Sequence, residues 1–303
     1  MKSTRLGWIG MLGGELQMFV QGALRGPFVF GTDSCRINLM SSEQTVLSSH
    51  EAGVRNVVYS KEHSLVISAS WDSTLHVHRV GTSADITPSI VPLPSKPFSM
   101  SLTATKLVVA MASRSLHIYD LKALALLTEQ SDGTAGNNRV EVEPWQRRES
   151  SLKFMTRCVA CMPDDAGYAS SSIEGRVAVE WFDPSAESQA RKYAFKCHRQ
   201  AADDVDVVYP VNALAFHPGY GTFASGGGDG VVALWDGVAK RRIRQYQKYS
   251  SSVAALGFSG NGKYLAVAVS PGFEDGRDDV VEGEVKIHVR ELGETEAKGK
   301  GGK

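Results

Sequence analysis

Apolar and polar residues alternate along this chain in short runs, and small or acidic residues separate the runs. A period of two buries one face of an extended segment and leaves the other outside, so each run predicts a β-strand. The runs come in pairs. One reads Phe28-Val-Phe-Gly-Thr-Asp33-Ser-Cys-Arg-Ile-Asn-Leu39, and the next Leu65-Val-Ile-Ser-Ala-Ser-Trp71-Asp72-Ser-Thr-Leu-His-Val77. A third extends from Leu107 to Asp120 about Ser113, and a fourth from Tyr168 to Glu180 about Glu174-Gly175. The fifth is Phe223-Ala-Ser-Gly-Gly-Gly-Asp229-Gly-Val-Val-Ala-Leu-Trp235-Asp236. A sixth unit reads from Val253 to Phe258, through Tyr264 to Val269, to Val285 to Val289, with an acidic loop before its last strand. Helical periodicity is scarce, so the fold class is all-β.

The turn residues fall at 33, 72, 113, 174 and 229, and the first two intervals are 39 and 41 residues. That period, with Trp235-Asp236 closing a third strand, is the signature of a WD-repeat β-propeller with blades of about 40–45 residues. The later intervals, 61 and 55, need insertions, and residues 128–150 and 184–209 supply them. The reading divides the chain into an atypical N-terminal segment (1–27), a propeller (28–292) and a Gly/Lys/Glu-rich disordered tail (293–303). Four glycines make residues 1–26 a poor strand set. His50 and His198 stand upstream of blades, where a histidine can bond Asp72 or Asp229 in the following turn, and scaffold roles are expected for all four.

Composition narrows the chemistry. Lys plus Arg and Asp plus Glu both number 33, so no global field draws the chain to nucleic acid or to anionic lipid, and any basic site is a local cluster. No apolar run reaches 18 residues, and no membrane partner is expected. Four cysteines in this length do not form a disulfide framework. Cys158-Val-Ala-Cys161 matches half of a zinc knuckle, but no second pair completes it and strand alternation points the two thiols to opposite faces. No nucleophile elbow is present, and Gly226-Gly-Gly-Asp-Gly230 lacks the following Lys-Ser/Thr and leads into a strand. The chain is therefore expected to be no enzyme and to hold no metal or other cofactor.

Three features stand apart from the scaffold. Trp71 precedes its turn at a variable rim position, where an aromatic serves either as a binding anchor or as packing on a neighbouring blade. Arg176 follows Gly175 in a tight turn, with Glu174 as a simple surface partner. Arg157 and Lys196 lie on strand-like stretches before and after it. Adjacent blades would bring the three cations to one pocket between them, and clustered Arg and Lys suit phosphate capture.

Arg147-Arg-Glu-Ser-Ser-Leu-Lys-Phe154, Ser171-Ser-Ile-Glu-Gly-Arg-Val-Ala-Val-Glu180, Tyr193-Ala-Phe-Lys-Cys-His-Arg199 and Tyr209-Pro-Val-Asn-Ala213 resemble the spindle-checkpoint WD-repeat proteins of the Bub-three family. The resemblance covers residues 28 to 290 and is densest from 147 to 269. It implies a seven-bladed propeller, here lacking the family's first blade with its own Ser-Trp-Asp. It implies a spindle-checkpoint adaptor of the nucleus and, in mitosis, the kinetochore. The implied partners are the GLEBS segment of a checkpoint kinase or pseudokinase, with Trp71 on that face, and phosphothreonine in Met-Glu-Leu-Thr repeats of a phosphorylated kinetochore scaffold. The phosphate contacts fall on Arg157, Arg176 and Lys196, with Phe154-Met155 where the family has Tyr-Gln. The alternative is the paralogous messenger-RNA export factor of the nuclear pore, which shares part of these strings.

Overall fold

The alternating runs form antiparallel sheets in which consecutive strands are neighbours. The computed structural model describes residues 46–80, 87–128, 138–271 and 285–299, together with the backbone of the strands before them and of the end of one helix. The chain divides into two compact units, residues 3–149 and 150–303.

In the first unit, β1 to β5 (Gly7–Leu12, Glu15–Gln21, Phe28–Gly31, Arg36–Met40, Gln44–Ser49) form one five-stranded sheet. Residues 7–12 and 15–21, within the segment whose glycines marked it as a poor strand set, are thus two paired strands. The expected absence of a first blade falls on residues 1–45, whose side chains lie outside the described residues. Two four-stranded blades follow: β6 to β9 (Val54–Ser60, Leu65–Ser70, Thr74–Arg79, Ser89–Pro92) and β10 to β13 (Pro97–Leu102, Lys106–Met111, Ser115–Asp120, Gln146–Glu149). Leu65, Ile67 and Ala69 alternate on β7 and meet Leu75, Val77, Leu107, Val109 and Met111 in one core. Each of these Leu, Ile, Val and Met side chains, fully buried, contributes about 1.5–3 kcal/mol. Helix α1 (Leu121–Gln130), not expected from the alternation, starts where Asp120 Oδ1 accepts from the backbone N–H of Lys122 and Ala123, and it buries Leu121 and Leu124 in the same core.

The second unit holds two four-stranded blades, β14 to β17 (Thr156–Cys161, Gly167–Ser172, Arg176–Trp181, Tyr193–Lys196) and β20 to β23 (Val211–Phe216, Thr222–Gly227, Val232–Asp236, Arg241–Gln245). A short helix α2 (Ala186–Ala190) joins β16 to β17, and a two-stranded ribbon, β18 and β19 (Arg199–Ala202, Val205–Val208), lies between the two blades in sequence. The last blade has three strands, β24 to β26 (Val253–Phe258, Tyr264–Val269, Lys286–Glu291). The blades from β6 to β26 number five, and the fold is an all-β WD-repeat β-propeller.

Polar relays fasten the turns as the sequence suggested. His198 Nδ1 lies 2.9 Å from Asp229 Oδ1, and His198 Nε2 lies 2.8 Å from Ser225 Oγ, which also accepts from Trp235 Nε1. The copy in the first unit joins His50 to Asp72 and Ser68, each at 2.9 Å. Burial works against the charge on Asp72, but hydrogen bonds from His50 and Thr74 outweigh it and hold the carboxyl well below the usual carboxylate range. His76 stacks on His50 with ring centroids 3.6 Å apart, and Ser48 Oγ lies 2.9 Å from both His76 Nδ1 and His78 Nε2.

The tail departs from expectation. Residues 293–299, predicted to be disordered, fold back onto the second unit: Ala297 is buried, and its carbonyl accepts from Thr222 Oγ1 at 2.8 Å. Glu296 accepts from Tyr246 Oη at 2.8 Å and from the Gly293 N–H at 3.1 Å, so one apolar and one acidic residue outweigh the polar composition around them. Cys158, Cys161 and Cys197 are free thiols, and burial pushes Cys197 up to about 12. Cys35 lies outside the described residues. Among the described residues, no cluster of three or more His, Cys, Asp or Glu could hold a metal ion, and no helix is long and apolar enough to cross a membrane.

Candidate functional site

Blade β14–β17 gathers cations at one end. Arg157 sits on β14 at a β-bulge, where the pairing shifts between Thr156 and Cys158, a device that re-aims a side chain. Its Nε donates to Asn212 Oδ1 on β20 at 2.9 Å, and Asn212 Nδ2 donates in turn to Ser252 Oγ and to the Val253 carbonyl. Arg176 opens β16 directly opposite Lys196, the last residue of β17. Opposed residues of an antiparallel pair carry Cβ atoms about 5 Å apart, and like charges there are destabilising. Glu174 offsets the repulsion: its Oε1 stands 3.0 Å from Arg176 Nε, though the N–H is not aligned with it, so the contact is an ion pair without a well-formed hydrogen bond.

The turn that carries these charges is tightly fixed. Gly175 has φ of +66°, and a Cβ there would stand 2.6 Å from the Cys197 carbonyl oxygen and 3.0 Å from that of His198. The Cys197 N–H donates back to the Gly175 carbonyl at 2.9 Å. Only glycine suits both the left-handed backbone and the close approach.

The three expected cations therefore stand on one blade, not on adjacent blades about a pocket between them. A blade has four strands, so residues as far apart as 157 and 196 can occupy its innermost and outermost members. Arg176 and Lys196 are brought together, whereas Arg157 reaches toward Asn212. Sequence reasoning missed Arg199, at the start of the ribbon. Its Nη2 donates to the Glu174 carbonyl at 2.9 Å and its Nη1 lies 3.5 Å from Asp206, while its buried Nε–H has no aligned acceptor. The basic character of Lys196-Cys-His-Arg199 was the available signal. Beside the cations, Phe154, Met155 and Ile173 expose apolar surface, and the Ile173 N–H donates to the Met155 carbonyl at 3.2 Å. Cations next to an apolar strip suit an anionic group on an otherwise apolar segment.

Trp71 stands in the first unit between β7 and β8. Its N–H donates to the Gly53 carbonyl at 3.1 Å, and the residue is 49% exposed, so packing leaves about half of its surface open.

The WD domain, G-beta repeat, matches residues 41–79 and 194–236, the two stretches with the His–Asp relays. The chain is 46% identical over 276 residues to the mitotic checkpoint protein BUB3.1 of Arabidopsis thaliana, covering 88% of this chain and 73% of that one. It is 30% identical over 239 residues to the mRNA export factor GLE2 of Chaetomium thermophilum, covering 77% and 60%. A chain in the crystal structure of a mitotic checkpoint complex superposes with a TM-score of 0.65 over 86% of this chain and 73% of that one, at 12% identity, which shows the shared fold.

Proposed function

This chain belongs to the Bub3 family of mitotic checkpoint proteins, non-enzymatic WD-repeat scaffolds, and on that premise we propose that it is a phosphopeptide-reading adaptor of the spindle checkpoint. The observation that carries the reading is the Arg176–Lys196 cross-strand pair with Arg199 beside it, two of whose buried guanidinium N–H groups lack aligned acceptors. A phosphothreonine brings about −1.5 to −2 charge and three acceptor oxygens, which match that deficit. In this reading Arg176 and Lys196 meet the phosphate, and Arg157 contributes when it turns from Asn212. The exposed Phe154, Met155 and Ile173 receive apolar residues of a Met-Glu-Leu-Thr repeat in a kinetochore scaffold. Trp71 anchors the GLEBS segment of a checkpoint kinase or pseudokinase. The adaptor works in the nucleus and at mitotic kinetochores.

The test is calorimetric titration with the phosphorylated and unphosphorylated Met-Glu-Leu-Thr peptide. Each shielded charge-assisted bond contributes about 1.5–3 kcal/mol, so Arg176→Ala should weaken the phosphopeptide at least about tenfold. GLEBS binding should stay within about twofold of the parent. Equal phosphopeptide affinity in parent and variant would remove the pocket from the account.

A further inference from the structure

We propose that Glu174 is a specificity-determining residue: its carboxylate occupies the cations when no ligand is bound, a phosphate displaces it, and a carboxylate side chain of a ligand does not. The inference rests on the phosphopeptide reading of this site and asks what the site refuses.

The geometry supplies each part. Three cations, Arg176, Lys196 and Arg199, surround the Glu174–Gly175 turn, and two carboxylates, Glu174 and Asp206, stand among them, leaving one positive charge over. Glu174 is the carboxylate in reach of Arg176, and only 19% of its side chain is exposed. A tethered carboxylate competes at a high effective concentration with any carboxylate arriving from solution. Exchanging one for the other brings no additional charge and no new acceptor, yet the incoming ligand still loses its translational freedom. Glutamate in place of phosphothreonine therefore gains almost nothing here.

A phosphate differs on two counts. It carries up to twice the charge, and its oxygens point in three directions instead of lying in one plane. The misaligned Nε–H of Arg176 and the unmatched Nε–H of Arg199 are both donors that one in-plane carboxylate leaves unused. Displacement also disturbs little. The backbone of Glu174 is held independently of its side chain, its carbonyl by Arg199 Nη2 and its N–H by Ser172 Oγ at 3.4 Å. The side chain can rotate away while the turn keeps its shape. Phosphate entry then leaves Glu174 facing solvent and Arg176 bonded to the ligand.

The experiment titrates the full chain and Glu174→Gln with three peptides that differ at one position: phosphothreonine, threonine and glutamate. In the parent, the glutamate peptide should bind no better than the threonine peptide. In Glu174→Gln it should gain at least about tenfold, the range of one charge-assisted contact, while the threonine peptide stays unchanged. Glu174→Asp keeps the charge on a shorter reach, should retain the discrimination, and controls for folding of the glutamine variant. If the parent binds phosphopeptide but the glutamate peptide gains nothing in Glu174→Gln, the role assigned to Glu174 is wrong and the pocket stands. If the parent does not distinguish phosphopeptide from threonine peptide, the pocket reading fails and this inference with it.

Discussion

Acid should loosen the first unit through His76 and His78. Both rings are buried; burial and the neighbouring His50 lower them from 6.5, His76 to about 3 and His78 to about 4. The unfolded chain takes up a proton on each ring as the pH falls through 6.5, whereas the folded chain resists until the lower values. Stability is therefore complete above pH 6.5 and declines below it, by about 1.4 kcal/mol per pH unit per ring. At pH 5 the two rings together remove about 4 kcal/mol, a large share of the stability of an ordinary domain. His78→Leu isolates one of them. The substitution gives up the Nε2 contact with Ser48 Oγ, a cost of about 1 kcal/mol that is the same at both pH values, while Ser48 keeps His76. Urea unfolding followed by circular dichroism at pH 7.5 and pH 5 gives both stabilities by linear extrapolation. The variant should lose about 2 kcal/mol less than the parent between the two pH values. His117 and His217, also lowered by burial, contribute equally to both proteins and cancel. An identical pH dependence in parent and variant would mean that His78 takes up its proton equally in the folded and the unfolded chain.

Trp235→Phe keeps an aromatic ring but removes the hydrogen bond to Ser225 and part of a buried indole, and should cost about 2–3 kcal/mol in a denaturation series. Gly175→Ala forces a Cβ against the Cys197 carbonyl at a positive φ, and should cost about 1–3 kcal/mol in stability and weaken phosphopeptide binding in the same preparation. Trp71→Ala should leave the melting temperature within about 2 °C of the parent, because the residue is half-exposed, and should reduce binding of a GLEBS peptide by at least about tenfold. An unchanged GLEBS affinity would assign Trp71 to packing.

Most of the blade strands were legible because a propeller repeats one rule: two alternating runs about a polar turn. Leu65–Ser70 with Thr74–Arg79, and Thr222–Gly227 with Val232–Asp236, fall where the alternation put them. The relays were legible too, because His50 and His198 stand just upstream of the blades whose turn aspartates they meet. Helix α1 was not, since Asp120 reads equally as a strand end or a helix cap, and tertiary burial of Leu121 and Leu124 decides between them. The cations were identifiable singly but not in their arrangement. Which of them face one another depends on strand register, and a one-residue bulge at Arg157 is invisible in the pattern of apolar positions. Arg199 escaped for a related reason: its basic neighbours were visible, but its contact with the Glu174 carbonyl leaves no trace in the sequence.

The return of the tail has a kinetic consequence. A three-stranded blade would ordinarily open at its edge strand, β26, with β25 and β24 following as separate small steps. Here the residues after β26 reach back to Thr222 and Tyr246, which belong to the preceding blade and the segment following it. Opening of β26 must first extract the buried Ala297 and part Glu296 from Tyr246, which raises its cost above that of an ordinary edge strand. Opening of β26 therefore carries the added cost of parting these contacts, and a protease that needs an extended stretch of chain finds β26 correspondingly less often.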